Sequence, residues 1–221
     1  MERKPRKLRI DTKMAMDNEN QLVRALSLME SELYDEAVDL LRIFLDKHPE
    51  SIEGWYNLGF ALASSGKEEE AIKAYDEALA IDNMIFEVWF NKATALYDMA
   101  DFEGAKKCYE EALRIDPEDA EAWNNLGNTF SRLAEAHSAI EAYTRAVAIR
   151  PDYAEAFYNS ANAHFIEGDD ERAIACAEAA LELDPSLEKR VNQWIHISRD
   201  RLDSMRAAME RSKRRKQKSG G

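Results

Sequence analysis

Apolar and small residues recur along this chain in two alternating stripes. Trp55, Leu58, Gly59 and Leu62 fall at i, i+3, i+4 and i+7, the spacing that gathers side chains on one face of an α-helix. Ala71, Tyr75, Ala78 and Leu79 form a second stripe of helical spacing. Between the two lies a short polar turn, Ser65-Gly66-Lys67, and glycine is the residue that most readily takes the left-handed conformation ending many helices. The pattern predicts a helical hairpin, and it then repeats.

The period is 34 residues. Trp55, Trp89 and Trp123 are spaced by it, and Phe157 takes the next place. Ala37, Ala71, Ala105, Ala139 and Ala173 form an unbroken column. Pro117, Pro151 and Pro185 form another, with Pro49 in the same frame. Proline lacks an N–H and clashes with the preceding turn, so this column separates one hairpin from the next. The register gives five units, 18–51, 52–85, 86–119, 120–153 and 154–187. The small residues Ala25, Gly59, Ala93, Gly127 and Ala161 mark where the two helices of each hairpin approach closely. A side chain larger than Ala in the alanine column would overpack, at about 1–3 kcal/mol.

The signature Trp55, Leu58, Gly59, Leu62, Ala71, Tyr75, Ala78 resembles the tetratricopeptide repeat family. It recurs as Trp123, Leu126, Gly127, Phe130, Ala139, Tyr143, Ala146 and Pro151. The resemblance covers residues 18–187 and implies an all-α, right-handed α-α superhelix, a solenoid of five helical hairpins. Departures are local. Asn83 replaces Pro, Lys92 and Ser160 replace Leu, and His164 replaces an aromatic residue. The first unit carries Gln21, Arg24 and Phe44 where the pattern differs. A terminal repeat has no upstream neighbour and tolerates such changes.

Residues 188–213 abandon the two-helix rule. Val191, Trp194, Ile195, Leu202, Met205 and Met209 form one stripe, interrupted by Ser198, and predict a single long capping helix. Its first half is expected to cover the fifth unit. Its second half overshoots that unit, leaving Leu202, Met205 and Met209 as a candidate self-association stripe.

Charge changes the picture at the two ends. The formal net charge is −13. Residues 1–13 carry a net +4 and residues 201–221 a net +6, which leaves −23 on residues 14–200. Residues 1–17 are therefore expected to form a flexible basic arm and 214–221 a flexible basic tail on an acidic body. No apolar run approaches the roughly 20 residues that span a bilayer, and no apolar segment follows the basic N-terminus as in a secretory signal. A cytoplasmic setting is expected.

Catalytic chemistry is not suggested. His48, His137, His164 and His196 share no repeat position and no metal-ligand spacing, so no metal or cofactor is expected. No phosphate-binding glycine loop or nucleophile motif occurs. Cys108 and Cys176 occupy one repeat position two repeats apart, too far for a disulfide, and read as small apolar residues.

The family resemblance implies a concave groove lined by repeat positions 2, 5, 6, 9, 12 and 13. Position 6 is Asn57, Asn91, Asn125 and Asn159. Asparagine is a poor mid-helix residue, so the column needs a reason. Either the amides bond to adjacent helices, or they form a ladder like that of the superhelical peptide-binding members, offering donor and acceptor to an extended backbone. Tyr56, Phe60, Phe90, Tyr97, Tyr158 and Phe165 supply apolar faces at the other positions, and Asn124, Asn128 and Asn162 supply amides. Position 2 is Glu19, Glu53, Glu87, Glu121 and Glu155. Helix dipoles favour a glutamate there, and the column also makes an acidic border that attracts basic ligands. A chaperone acidic C-terminal tail needs basic residues at position 2 and is not expected to bind.

These readings converge on a non-catalytic scaffold that binds an extended, basic or neutral peptide or protein segment. The alternatives are a structural protein that self-associates through its capping helix, as monomer or weak homo-oligomer, and a tail-mediated binder of an anionic surface. Nucleic acid is disfavoured because the acidic body repels phosphate. The basic tail could also dock in the acidic groove.

Overall fold

The computed structural model describes residues 19–219, and side chains over 21–214. The basic arm expected over 1–17 lies outside the described residues, as does the side chain of Glu19. The chain divides into two compact units, one ending at Glu118 and one beginning at Asp119. Every element of regular structure among the described residues is helical.

The first unit contains three hairpins. They are α1 (Glu19–Glu30) with α2 (Tyr34–Leu45), α3 (Ile52–Ser64) with α4 (Glu68–Ile81), and α5 (Phe86–Asp98) with α6 (Phe102–Ile115). Each hairpin packs internally, and α2 on α3 and α4 on α5 join successive hairpins. The second unit contains α7 (Ala120–Arg132) with α8 (Ala136–Ile149) and α9 (Ala154–Glu167) with α10 (Asp170–Leu183). A 3-10 turn at Pro185–Leu187 follows, then α11 (Glu188–Val191) and α12 (Ile195–Ser219). Here α8 packs on α9 and α10 on α12.

The repeated columns become repeated contacts. All five alanines, Ala37, Ala71, Ala105, Ala139 and Ala173, are fully buried. The Tyr75 ring lies over Gly59 so closely that a Cβ there would stand 2.5 Å from it, and Tyr143 lies over Gly127 at the same 2.5 Å. Glycine is required because the tyrosine fills the space that any side chain would take. Trp55 donates its indole N–H to the Pro49 carbonyl at 2.7 Å, and Trp89 donates to the Asn83 carbonyl at 2.8 Å. The contact uses a backbone acceptor, which explains how Asn83 can replace proline in that column.

Each hairpin turn contains one left-handed residue at the same repeat position: Glu32, Gly66, Ala100, Ala134 and Gly168, with φ between 60° and 78°. Only two of the five are glycine. The geometry of the turn therefore prevails over the local preference of Glu and Ala.

The C-terminal segment departs from the single helix expected over 188–213. Asn192–Trp194 form a turn between α11 and α12, with Trp194 N–H bonded to the Val191 carbonyl at 3.2 Å. Val191, Trp194 and Ile195 thereby share one cluster with Ala161, Ala173 and Ala177. All three are buried across the break. The tail expected to be flexible from 214 instead continues the helix of α12 to Ser219. Lys, Arg and Gln are good helix formers, and cations at a helix C-terminus are favoured by its dipole. Gly220 and Gly221 lie outside the described residues.

Candidate functional site

The residues proposed from sequence sit on the first helix of each hairpin. In the second unit, Glu121, Asn124, Asn125 and Asn128 run up α7, and Glu155, Tyr158, Asn159, Asn162 and Phe165 run up α9. In the first unit, Glu53, Tyr56, Asn57 and Phe60 lie on α3, and Glu87, Phe90, Asn91 and Tyr97 lie on α5.

Many of these side chains are occupied internally. Asn57, Asn91, Asn124 and Asn125 are buried. Asn91 donates Nδ2 to the Tyr56 hydroxyl at 3.0 Å, and Asn159 donates Nδ2 to Asn124 Oδ1 at 3.0 Å. Both contacts join position 6 of one hairpin to position 5 of the hairpin before it. Asn57 turns back on its own helix and donates to the Glu53 carbonyl at 2.8 Å. Asn125 accepts the Thr129 hydroxyl through its backbone carbonyl at 2.8 Å. Asn128 accepts the Tyr143 hydroxyl at 2.9 Å. Asn91 and Asn159 thus bond to adjacent helices, as in the first of the two readings, whereas Asn57 bonds within its own helix.

The aromatic set divides in the same way. Tyr56, Phe60 and Phe90 are buried, with exposures of 0%, 4% and 2%. Phe90 packs edge-on to Tyr109 at 5.6 Å and stacks on Phe86 at 5.7 Å. Tyr97, Tyr158 and Phe165 are half-buried, as are Asn128, Asn159, Asn162, Glu53, Glu87, Glu121 and Glu155. Burial pushes the Glu53 carboxyl above its ordinary value.

Two arginines of the capping segment were not among the residues singled out from sequence, yet they touch the site. Arg190 pairs with Glu155 through two parallel bonds of 2.9 Å, and its guanidinium lies 3.9 Å from the Tyr158 ring centre. Arg201 lies 4.9 Å from the Phe165 ring centre and bonds the buried Asp170 at 3.3 Å. Trp194 stacks on Phe165 at 5.0 Å. Arg190 stands 35 residues after Glu155, the same offset that separates Asn91 from Tyr56 and Asn159 from Asn124. The offset is the legible signal that could have found it.

Of the proposed self-association stripe, Leu202 is half-buried and lines a groove of about 540 Å³ between α10 and α12 with Ile174, whereas Met205 and Met209 are 51% and 57% exposed. The expectation that Leu202 lacks an intramolecular neighbour is corrected, since α10 extends far enough to meet it. Among the described residues, no group of three or more His, Cys, Asp or Glu side chains could hold a metal. His164 is buried, with Nδ1 3.7 Å from Asp169 Oδ2; burial lowers its pKa, and Asp169 opposes the shift. Cys108 and Cys176 are free thiols, and burial pushes Cys108 up to about 11. Among the described residues, no helix is long and apolar enough to cross a membrane.

Four family models match: tetratricopeptide repeat over 22–83, TPR repeat over 93–133, and tetratricopeptide repeat over 120–153 and again over 154–187. The chain belongs to the tetratricopeptide repeat family. No curated protein sequence matches it. Among solved structures, a crystal structure of MamA is similar over 80% of this chain and 99% of that one, with 21% identity and a TM-score of 0.72. MamA residues 41 to the end from Desulfovibrio magneticus RS-1 align over 76% of this chain and 96% of that one, with 21% identity and a TM-score of 0.73. YrrB, described as a TPR protein with an unusual peptide-binding site, aligns over 76% of this chain and 87% of that one, with 18% identity and a TM-score of 0.68. These similarities show the fold, an all-α tetratricopeptide solenoid. Tetratricopeptide repeats are protein-interaction modules, and this tetratricopeptide protein is built as such a scaffold.

Proposed function

We propose that this protein is a non-catalytic scaffold whose first-helix faces, in each unit, bind an extended basic or neutral segment of a partner protein. One observation carries the reading. Arg190 seats its guanidinium on the carboxylate of Glu155 and the ring of Tyr158. A planar cation on a bidentate carboxylate and an aromatic face is a favourable way to hold an arginine. The chain's own arginine supports the reading that a position-2 glutamate and its aromatic neighbour can hold an arginine of a partner. Half-buried Glu53 and Glu87 in one unit, and Glu121 in the other, place the same acidic group at the same repeat position. Asn128 and Asn162 add half-buried amides one helical turn or two further along. The peptide-binding site in the description of YrrB supports a peptide role on this fold.

Asn91 and Asn159 hold neighbouring helices together, so the glutamates are the better handle for a test. Replacing Glu53, Glu87 and Glu121 together by Gln removes charge while preserving shape. Binding to an array of extended Arg- and Lys-containing peptides should fall about tenfold and lose most of its salt dependence. Unchanged affinity and unchanged salt dependence would sink the proposal. Acidic C-terminal peptides should not bind the unsubstituted chain, because its position 2 offers them only carboxylates.

A further inference from the structure

We propose that the overhanging part of α12 is a second docking surface, and that its occupant is an acidic amphipathic helix of a partner protein. The argument starts from how α12 is held where it is covered. Its first turns lie on α10, with Ile195 in the same apolar cluster as Ala173 and Ala177. Two arginines on α12 then reach acids of α10. Arg199 bonds Glu178 at 3.1 Å and Arg201 bonds Asp170 at 3.3 Å. The pattern is an apolar stripe with basic flanks gripping an acidic helix whose own face is small and apolar.

That helix ends before α12 does. The groove between the two helices is lined at its far end by Glu171 of the first turn of α10 and by Arg206, so α10 ends near Arg206. From Arg206 to Ser219 the helix continues for about 20 Å at 1.5 Å per residue. The recognition pattern continues with it. Met205 and Met209 extend the stripe begun by Leu202 and are 51% and 57% exposed. Arg199, Arg206 and Lys213 recur every seven residues beside the stripe, and seven residues is two helical turns. Residues 205–219 contain seven Lys/Arg and one acid, Glu210, which pairs with Arg214. The covered half, which reaches Arg206, shows which helix this pattern takes, and Met209 with Lys213 carries it on beyond the α10 residues that line the groove.

Charge also decides against the simplest homotypic contact. A second α12 laid along the first would bring Arg206 and Lys213 against their own kind, and like charges across a helical seam are destabilising. A helix with acids at both flanks and Ala, Ile or Leu between them, the composition of α10, meets the stripe and the arginines together.

The test uses the full chain and a stapled helical peptide of the α10 sequence, Asp170–Leu183, with Cys176→Ser. Fluorescence anisotropy should show saturable binding. The double substitution Met205→Asp/Met209→Asp should weaken it about tenfold or more, and Arg206→Glu/Lys213→Glu should do likewise. A peptide whose Glu171 and Glu178 are changed to Lys should regain affinity for the charge-reversed chain. All four substituted positions are exposed, so circular dichroism should confirm an unchanged fold. Absence of binding, or equal binding to all forms, would overturn the proposal. A wild-type dimer that the Met205→Asp/Met209→Asp change dissociates, with no peptide binding, would overturn it in favour of a second copy of this chain.

Discussion

Asn159 donates its side-chain amide to the side-chain oxygen of Asn124 at 3.0 Å, joining α9 to α7. Asn124 is buried at 3% exposure, so its acceptor has little water to fall back on. Replacing Asn159 by Ala leaves that oxygen unpaired. We expect a loss of about 1–2 kcal/mol, read from chemical denaturation. A double-mutant cycle with Asn124→Ala should give a coupling of about 0.5–1.5 kcal/mol. Additive losses would show that the contact contributes nothing as a pair.

The left-handed turn position offers an opposite expectation. Ala100 and Ala134 hold φ of 62° and 60°, where a Cβ is strained. Changing either to Gly should stabilise the chain by about 0.5–1 kcal/mol, the relieved strain exceeding the added entropy of the unfolded chain. Gly66→Ala should cost about 1 kcal/mol. No atom stands within 4 Å of the Cβ it would add, so that cost is backbone strain alone.

Arg190 tests the cap. Its pair with Glu155 is half-exposed, at 44% and 33% for the two side chains, so solvent screens it. Arg190→Ala should cost about 1 kcal/mol, less at high salt. Arg190→Lys should recover less than half of that, since an ammonium can neither make the two parallel bonds nor lie flat on Tyr158. Full recovery by lysine would mean that only the charge matters.

His164 gives a pH dependence. Burial holds its pKa below the ordinary 6.5, with Asp169 opposing and Arg172 reinforcing the shift. As the pH falls, the unfolded chain takes up this proton before the folded chain does. The stability contributed by neutral His164 is therefore complete above the ordinary value of 6.5 and lost as the pH drops through it toward the lower folded value. Thermal melts between pH 7.5 and about 5 should show a steeper decline for the wild type than for His164→Phe. Identical slopes would remove His164 from the account.

Particular residues show how much was legible beforehand. The hairpins, their register and the Gly59 and Gly127 approaches could be read from spacing, because a buried helix face imposes 3.6-residue periodicity and a close approach admits only a small residue. The identity of the candidate face was legible too. Its availability was not. Asn91 and Asn159 have the same residue type and repeat position as Asn57, yet their amides cross to a neighbouring hairpin while that of Asn57 folds back on its own helix. Which acceptor lies within 3 Å depends on the residue 35 positions earlier, a tyrosine in one case and an asparagine in the other, and no single-column pattern carries that.

The sequence by itself determined the 34-residue period, the family, the acidic body and the basic end of the last helix, since each follows from the order and chemistry of residues along one chain. Tertiary structure decided what the order leaves open. It placed Glu32, Ala100 and Ala134 in a conformation they do not prefer, because five hairpins share one turn geometry. It interrupted the capping helix at Asn192–Trp194 while burying Val191, Trp194 and Ile195 in one cluster. It set Arg190 on Glu155 and ended α10 near Arg206, leaving Met205 and Met209 exposed. Burial and pairing are properties of what stands opposite a residue, and only packing fixes that.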